Sequence, residues 1–410
     1  MNFFLVIILA ILITTYLLDL IIDILNVRHV KTELPGEFKG FIDPKKYKES
    51  QEYLKENTRV GIISDSIITP LLILFILVNG FNAVDRFSRG FDLGSIPTGL
   101  IFAGVLILAF HLLTIPFSVY TTFVIEEKYG FNKTTPRTFI LDILKAWLLV
   151  AVLGGIVLSS VLWFFEKSGS WAWFYCWCGV SVFQIVLMFV APVVIMPLFN
   201  KFVPLEEGEL KKAVEDYVGV QNFRIKGIFT MDGSKRSTKS NAFFTGFGRF
   251  RRIVLFDTLI EKHTVDEVVS ILAHEMGHYK KRHMLKSICL TMLTTGLMFY
   301  ILSLFINNRE LFAAFGMEHT SIYASLFFFG MLYSPIDTII SIFGNMLSRR
   351  HEYEADAYAV KTSRRPETMI SALKRLSVEN LSNLTPHPLK VFLSYSHPPV
   401  LERIKAIRRE

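Results

Sequence analysis

The stretch 271-ILAHEMGHYKKRHMLKSICLTMLTTGLMFYI-301 joins two patterns that decide the fold class. Its first part holds His274, Glu275 and His278 in helical spacing, and its second part is apolar enough to cross a bilayer. We expect the helix with these polar side chains to run straight into the membrane span. A metal held by the histidines would then lie within a turn or two of the membrane surface.

The composition is that of a protein with several membrane spans. The 410 residues are 51% hydrophobic and 20% charged, with a mean hydropathy of +0.42, which is too high for an ordinary soluble domain. The net charge is +8, but the basic residues lie beside apolar stretches, so they indicate membrane sidedness and not nucleic-acid binding. The three cysteines all lie in apolar runs, so no disulfide framework is predicted.

Seven stretches are long and apolar enough to span a bilayer. The first is interpreted as a retained span, because it lacks the basic start and the cleavage site of a secretory signal. The predicted spans are 2–25, 61–81, 97–124, 140–165, 171–198, 285–306 and 320–347. Five ionisable residues fall within them and favour a hydrated interior, since a charge facing lipid is costly. These residues are Asp19, Asp23, Asp65, His111 and Asp337.

Lys and Arg are abundant in alternate segments between the spans. By the positive-inside rule, the basic segments face the cytosol and the N-terminus lies outside or in a lumen. The chain is therefore predicted to have four parts. They are 1–198 with five spans and a cytosolic loop at 27–60, a catalytic segment at 199–284, two spans in 285–347 and a cytosolic C-terminal segment at 348–410.

The segment 199–284 has the pattern of a small α/β unit. LEEGELKKAVEDYVG at 205–219 has helical periodicity, whereas 223–231, 241–248 and 251–259 are strand candidates. Thr264 and Glu267 fit a capping box, which predicts the start of the helix that carries the two histidines.

His274, Glu275 and His278 form the pattern H-E-x-x-H. Two imidazoles four residues apart on a helix project together and can bind one metal ion, while Glu275 is placed to act as a general base on a water molecule. The alternative is an ordinary charged helix end at the membrane surface. The capped helix start favours the metal site.

A catalytic zinc site needs a third protein ligand, and the tail offers candidates in 349-RRHEYEADAYAVK-361. Glu352 and Asp356 are four residues apart and share a helix face, whereas Glu354 points elsewhere. His351 is a rival ligand. Two histidines and one carboxylate are the ligand set of hydrolases that activate water, and a solvated acidic helix is the alternative interpretation.

Together these motifs resemble the CAAX prenyl protease 1 family, which are zinc metalloproteases of the membrane. The resemblance extends over most of the chain, and compact outer loops favour a prokaryotic member. It rests on the H-E-x-x-H helix and on 116-PFSVYTTFVIEEKYGFN-132, 232-DGSKRSTKSNAFFTGFG-248, 252-RIVLFDTLIE-261, 348-SRRHEYEAD-356 and 394-SYSHPPVLERI-404. It implies a multi-pass α-helical membrane protein with seven transmembrane helices around an internal chamber. A zincin-like α/β catalytic portion would close the cytosolic side of that chamber.

The resemblance also implies a role for each matching residue. His274, His278 and Glu352 would bind one Zn²⁺, Glu275 would be the catalytic acid and base, and Asp356 would orient a ligating imidazole. Asn241 and Ala242 would hold the substrate backbone by β-augmentation, and His397 would stabilise the oxyanion or hold the peptide. Arg403 is grouped with the substrate-binding residues, near the zinc-binding carboxylates. His283 is interpreted as structural.

The implied substrate is a peptide or protein, prenylated or otherwise associated with the lipid bilayer. The membrane would be the inner membrane of a bacterial cell or the endoplasmic reticulum of a eukaryotic one. Two alternatives remain open at the level of sequence: a protease of the same chemistry used for membrane-protein quality control, and a transporter or receptor with a structural metal. A structural zinc usually has four protein ligands, and only three are convincing here, which favours catalysis.

Overall fold

The computed structural model describes residues 2–246 and 251–410. Helices make up most of this part of the chain. They are α1 (Phe3–Arg28), α2 (Pro44–Leu77), α3 (Gly80–Arg89), α4 (Ser95–Tyr120), α5 (Pro136–Leu149), α6 (Gly155–Lys167), α7 (Ala172–Val190), α8 (Met196–Phe199), α9 (Glu209–Val220), α10 (Asp257–Lys262), α11 (Val265–Lys280), α12 (His283–Phe305), α13 (Arg309–Ala314), α14 (Ile322–Ser363), α15 (Pro366–Glu379), α16 (Pro388–Ser394) and α17 (Val400–Ile407).

Within residues 2–246 and 251–410, seven helical stretches are long and apolar enough to cross a membrane, which confirms the predicted number of spans. Short π-helical segments join α4 to its continuation, α5 to α6 and α7 to α8, so each of these spans is one helical rod. The spans are Phe3–Arg28, Pro44–Leu77, Ser95–Glu126, Pro136–Lys167, Gly169–Phe199, His283–Phe305 and Ile322–Ser363.

The second and seventh spans are longer than hydropathy predicts, because a polar boundary does not end a helix. The second helix starts at Pro44 instead of 61, where Asp43 caps it by accepting a hydrogen bond from the Lys45 amide. α14 continues from the last span through the acidic stretch of the tail, so Glu352 and Asp356 lie on the same 42-residue helix as the seventh span.

The prediction that the H-E-x-x-H helix continues without a break into the sixth span is wrong. α11 ends at Lys280, and Arg282 has a left-handed backbone conformation with φ of 58°. Since α12 begins at His283, the chain changes direction between the two helices. The break turns His283 back towards His278.

The described residues of the predicted α/β segment form one four-stranded sheet with the order β1-β2-β4-β3. β2 and β4 are parallel, and the two outer strands pair antiparallel to them. The strands are β1 (Phe202–Pro204), β2 (Gly227–Met231), β3 (Ala242–Thr245) and β4 (Arg252–Phe256). The sequence did not predict β1, and the predicted strand at 241–248 is observed over Ala242–Thr245, with 247 and 248 outside the described residues.

The α/β segment is built around α11. One face of this helix packs on the sheet and α9, and the other side faces α14 and α15. Val268, Leu272 and Met276 are fully or almost fully buried between them. At the opposite end of the molecule, α3 and α13 pack with α1, α4 and α14 into a separate cluster rich in phenylalanine.

Candidate metal centre and active site

The position of the H-E-x-x-H residues is set by a capped helix and one close helix contact. The Thr264 hydroxyl accepts from the Glu267 amide, and the Glu267 carboxylate accepts from the Thr264 amide, which confirms the predicted capping box. Gly277, between Glu275 and His278, faces α14 so closely that an added Cβ would lie 2.9 Å from Ala355 Cα. This contact brings Glu352 to the two histidines.

Three side chains converge on one point. The Nε2 atoms of His274 and His278 lie 3.1 Å apart, and Glu352 approaches them with one oxygen each, at 3.4 and 3.2 Å. Tetrahedral zinc with Zn–N bonds of about 2.1 Å separates its ligand atoms by about 3.4 Å. Glu352 is buried, and its Oε2 has no hydrogen-bond partner among the described residues. The donor set and its spacing therefore fit a zinc ion.

Asp356 and Arg403 lie behind His274. Asp356 Oδ1 is 2.7 Å from His274 Nδ1, and Arg403 donates to both carboxylate oxygens of Asp356 at 2.6 and 2.8 Å. Arg403 Nη1 also lies 3.3 Å from Glu352 Oε2. The guanidinium thus neutralises two buried carboxylates, and Asp356 fixes the ring orientation of His274.

The electrostatic surroundings shift the pKa values of His274 and Glu275 on α11. Burial favours neutral His274, but hydrogen bonds to Asp356 and Glu352 outweigh it and raise the pKa of this imidazole to about 9 in the metal-free protein. Burial raises the pKa of the Glu275 carboxyl, although the neighbouring His274 and His278 act in the opposite direction. A partly buried carboxyl with a raised pKa suits a group that must both accept and release a proton.

The remaining predicted residues border the three donors. His397 is exposed, with its Nε2 3.4 Å from Glu352 Oε1 and its Nδ1 2.9 Å from the Ser396 hydroxyl. Ala242 opens β3, the edge strand that runs beside α11, and Asn241 precedes it with its side chain turned back to the Ala242 amide. An edge strand offers unpaired backbone groups to an extended peptide.

The structure also brings to the site a residue that sequence reasoning had assigned no role in it. His283 Nδ1 is 3.1 Å from His278 Nδ1, and His283 Nε2 is 3.1 Å from Glu354 Oε2. His351, the rival ligand, does not join the three donors, because its ring stacks on His283 at 3.9 Å. The sequence did contain a signal for His283, because it is the third histidine of the pattern H-E-x-x-H-x-x-x-x-H. The break at Arg282, which turns His283 towards His278, had no signal in the sequence.

Three features define a membrane-embedded metallopeptidase. They are the packed pair of helices α11 and α14, the donor set of two histidines and one carboxylate, and the seven spans. Comparison with known proteins gives the same result. Residues 23–201 match the family model described as "CAAX prenyl protease N-terminal, five membrane helices", and residues 204–410 match peptidase family M48. The chain belongs to peptidase family M48.

Several relatives match along nearly their whole length. A CAAX prenyl protease 1 homolog of Oryza sativa is 34% identical over 98% of this chain and 96% of the relative. CAAX prenyl protease 1 of Saccharomyces cerevisiae is 33% identical, and the human homolog is 31% identical; both alignments cover 92% of this chain and 89% of the relative. The crystal structure of S. mikatae Ste24p superposes with a TM-score of 0.94 at 33% identity, covering 98% of this chain and 99% of that one.

Proposed function

We propose that this metallopeptidase binds one Zn²⁺ through His274, His278 and Glu352. The observation that carries the proposal is the convergence of the donor atoms: the two Nε2 atoms lie 3.1 Å apart, and the two oxygens of Glu352 lie 3.4 Å from His274 Nε2 and 3.2 Å from His278 Nε2. A bound zinc would supply Lewis acidity for peptide hydrolysis. Asp356, held by Arg403, keeps the His274 Nε2 lone pair directed towards the metal.

Glu275 is the proposed acid and base of the reaction. Its carboxylate takes a proton from the attacking water and delivers it to the leaving amine nitrogen. Burial raises its pKa, which strengthens it as a base and makes the protonated form available for the second step. His397 is exposed beside Glu352, where it can donate a hydrogen bond to the oxyanion of the substrate.

The substrate is proposed to be a peptide that lies along β3 as an added strand. Asn241 and Ala242 would contribute the backbone contacts at the end of the strand next to α11. Arg403 is mostly engaged by Asp356 and Glu352, so its role is to hold the carboxylates in place, in addition to any contact with a substrate terminus.

We further propose that the natural substrates are prenylated or otherwise membrane-associated, as the names of the relatives suggest. The catalytic segment and the C-terminal segment would face the cytosol, with the N-terminus on the other side, because the basic loops alternate. An isoprenyl chain partitions into the bilayer with about 0.8 kcal/mol per buried CH₂, which would concentrate the scissile bond at the membrane surface.

Metal analysis tests the ligand set. Purified wild type should contain one zinc per chain, whereas His274→Ala and Glu352→Ala should lose it. Glu215→Ala is a matched control, since Glu215 is an exposed acid in the same catalytic segment. Full zinc occupancy in Glu352→Ala would show that Glu352 is not a ligand, and other side chains would then have to be tested.

The substrate class needs a separate experiment. Wild type in liposomes should cleave a farnesylated CaaX peptide faster than the same peptide without the lipid, at matched concentrations. Glu275→Gln provides the background rate. Equal rates for the two peptides would favour the quality-control alternative, with the same chemistry and no lipid requirement.

Sidedness can be tested by labelling in sealed vesicles. Single cysteines would replace Glu215 in the catalytic segment and Glu310 in α13, between the sixth and seventh spans, both exposed positions, in a background without the three native cysteines. A membrane-impermeant reagent should label them from opposite sides. Labelling of both from one side would refute the proposed topology.

A further inference from the structure

The two histidines of the metal centre differ in what lies behind them. His274 Nδ1 faces the carboxylate of Asp356 at 2.7 Å, whereas His278 Nδ1 faces another imidazole, that of His283, at 3.1 Å. His283 in turn contacts Glu354 Oε2 through its Nε2 at 3.1 Å. The three side chains form a row that starts at the metal centre and ends at a carboxylate.

The direction of the hydrogen bonds in this row follows from chemistry. If His278 presents the lone pair of Nε2 to a metal, its Nδ1 carries the proton. His283 Nδ1 must then accept, which puts the proton of His283 on Nε2, where it donates to Glu354. Each nitrogen has a partner, both rings are neutral, and the carboxylate is ionised. The reverse order would leave His278 without a lone pair for the metal.

The surrounding residues hold His283 in this position. The left-handed backbone of Arg282 ends the helical path after α11 and returns His283 to the side of His278. The ring of His283 is buried and stacks on His351 with an interplanar angle of 12°. Arg350 donates to Glu354 at 3.1 Å, so the carboxylate at the end of the row has a cation of its own.

We propose that His283 is a positioning residue for metal binding, and that the row His278–His283–Glu354 fixes the tautomer and the ring plane of His278. This inference rests on the proposed zinc ligands. Without an acceptor at position 283, the Nδ1–H of the half-buried His278 loses its partner, and the ring can rotate or exchange its proton to the nitrogen that should face the metal.

The decisive test compares two substitutions at this position. His283→Phe keeps an aromatic ring to stack on His351 but cannot accept, and it should weaken zinc binding about 10- to 100-fold. His283→Asn has a carbonyl oxygen at the place of His283 Nδ1 that can accept from His278, so it should bind zinc within a few-fold of wild type. The readout is zinc affinity by competition with a chelator, using the full-length protein.

A second readout separates positioning from packing. In the cobalt-substituted protein, His283→Phe should change the visible ligand-field spectrum, because the orientation of one imidazole ligand changes, and His283→Asn should keep it. His263→Phe is the matched control: His263 is buried in the same segment, and neither of its ring nitrogens has a hydrogen-bond partner among the described residues. It should bind zinc as wild type does.

Glu354→Ala tests the far end of the row without changing the buried ring, and a smaller loss of zinc affinity is expected. Wild-type affinity and an unchanged cobalt spectrum in both His283→Phe and Glu354→Ala would overturn the proposal. So would equal losses in His283→Asn and His283→Phe, since the acceptor would then be irrelevant. Wild type that binds no zinc would instead refute the proposed function, so the two failures are distinguishable.

Discussion

The catalytic segment and the membrane spans differ sharply in how much of each helix the protein covers. Of the 16 residues of α11, nine are buried. In the seven spans, between 0% and 17% of the most apolar window is buried, and the fifth span has none. The spans therefore bury a much smaller share of their side chains within the protein than α11 does.

This difference shows how the protein separates its two tasks. The candidate site residues on α11 are held by close packing, whereas most side chains of the spans are not fully buried within the protein. Asp23 of the first span pairs with Lys390 Nζ of α16 at 2.6 Å, so the C-terminal segment supplies its partner. The hydrated interior that the five ionisable residues in the spans indicated stays a prediction.

The largest effect is expected on the activity of Glu275→Gln, a change that removes a chemical group of the catalytic segment without altering its packing. Glu275→Gln keeps the size of the side chain and removes its basic carboxylate, so activity should fall at least about a hundredfold. Zinc content and thermal unfolding temperature should stay at wild-type levels. Near-normal peptide cleavage by this variant would contradict the proposed role of Glu275.

The next effect tests the closest contact in the packed region. In Gly277→Ala the new Cβ would lie 2.9 and 3.0 Å from backbone atoms of Ala355, which cannot move without α14. Overpacking of this kind costs about 1–3 kcal/mol, and it would also shift Glu352 away from the histidines. We expect a lower unfolding temperature together with weaker zinc binding. A variant with normal stability and zinc affinity would show that the two helices are less tightly fixed than their separation indicates.

The stability of the protein should depend on pH through Glu267, a buried carboxylate in the first turn of α11. Burial acts to raise the pKa of Glu267, but hydrogen bonds from Ser371, Thr264 and Arg375 outweigh it and lower the pKa below its ordinary value of about 4.3. The stabilisation is therefore complete above that value and is lost as the pH falls through the lower folded-state pKa.

Glu267→Gln should accordingly destabilise the protein by about 1–3 kcal/mol at neutral pH. Thermal unfolding measured at neutral and at acidic pH checks the sign, because the gap between wild type and variant should narrow as the solution becomes acidic. A gap that is constant with pH would mean that the charge of Glu267 contributes nothing.

The smallest effect is expected in the spans. Gly104 lies in α4, and apart from its chain neighbours and the backbone of its own helix, no atom of the described residues lies within 4 Å of the position that an added methyl group would take. Gly104→Ala should therefore change stability by at most about 0.5 kcal/mol. The same chemical change is thus expected to have a large effect at Gly277 and a small one at Gly104. A large destabilisation of Gly104→Ala in thermal unfolding would show that this span is packed as closely as α11.

Local patterns in the sequence predicted much of this molecule. Hydropathy gave the seven spans, and the capping box and the four-residue spacing of His274 and His278 located α11, because each depends on residues within a few turns of helix. The meeting of Glu352 with the histidines depends on a contact between distant helices, so periodicity offered several candidates and only the resemblance selected one.

Other features left no local signal. The break between α11 and α12 depends on a left-handed arginine, and arginine has no preference for that conformation. The place of His283 behind His278 was therefore missed. The continuity of α14 was missed for a different reason, since the sequence changes from apolar to charged where the helix does not end.

The length of α14 has a mechanical consequence. Glu352 lies 19 residues beyond Tyr333 in the membrane part of this helix, a distance of about 29 Å along its axis. A tilt of about 2° around Tyr333 would displace Glu352 by about 1 Å, and Pro335 provides a point where the helix can bend. A small tilt of the seventh span would thus move Glu352 relative to His274 and His278. A change in bilayer thickness or lateral tension that tilts this span would therefore also change the geometry of the candidate metal centre.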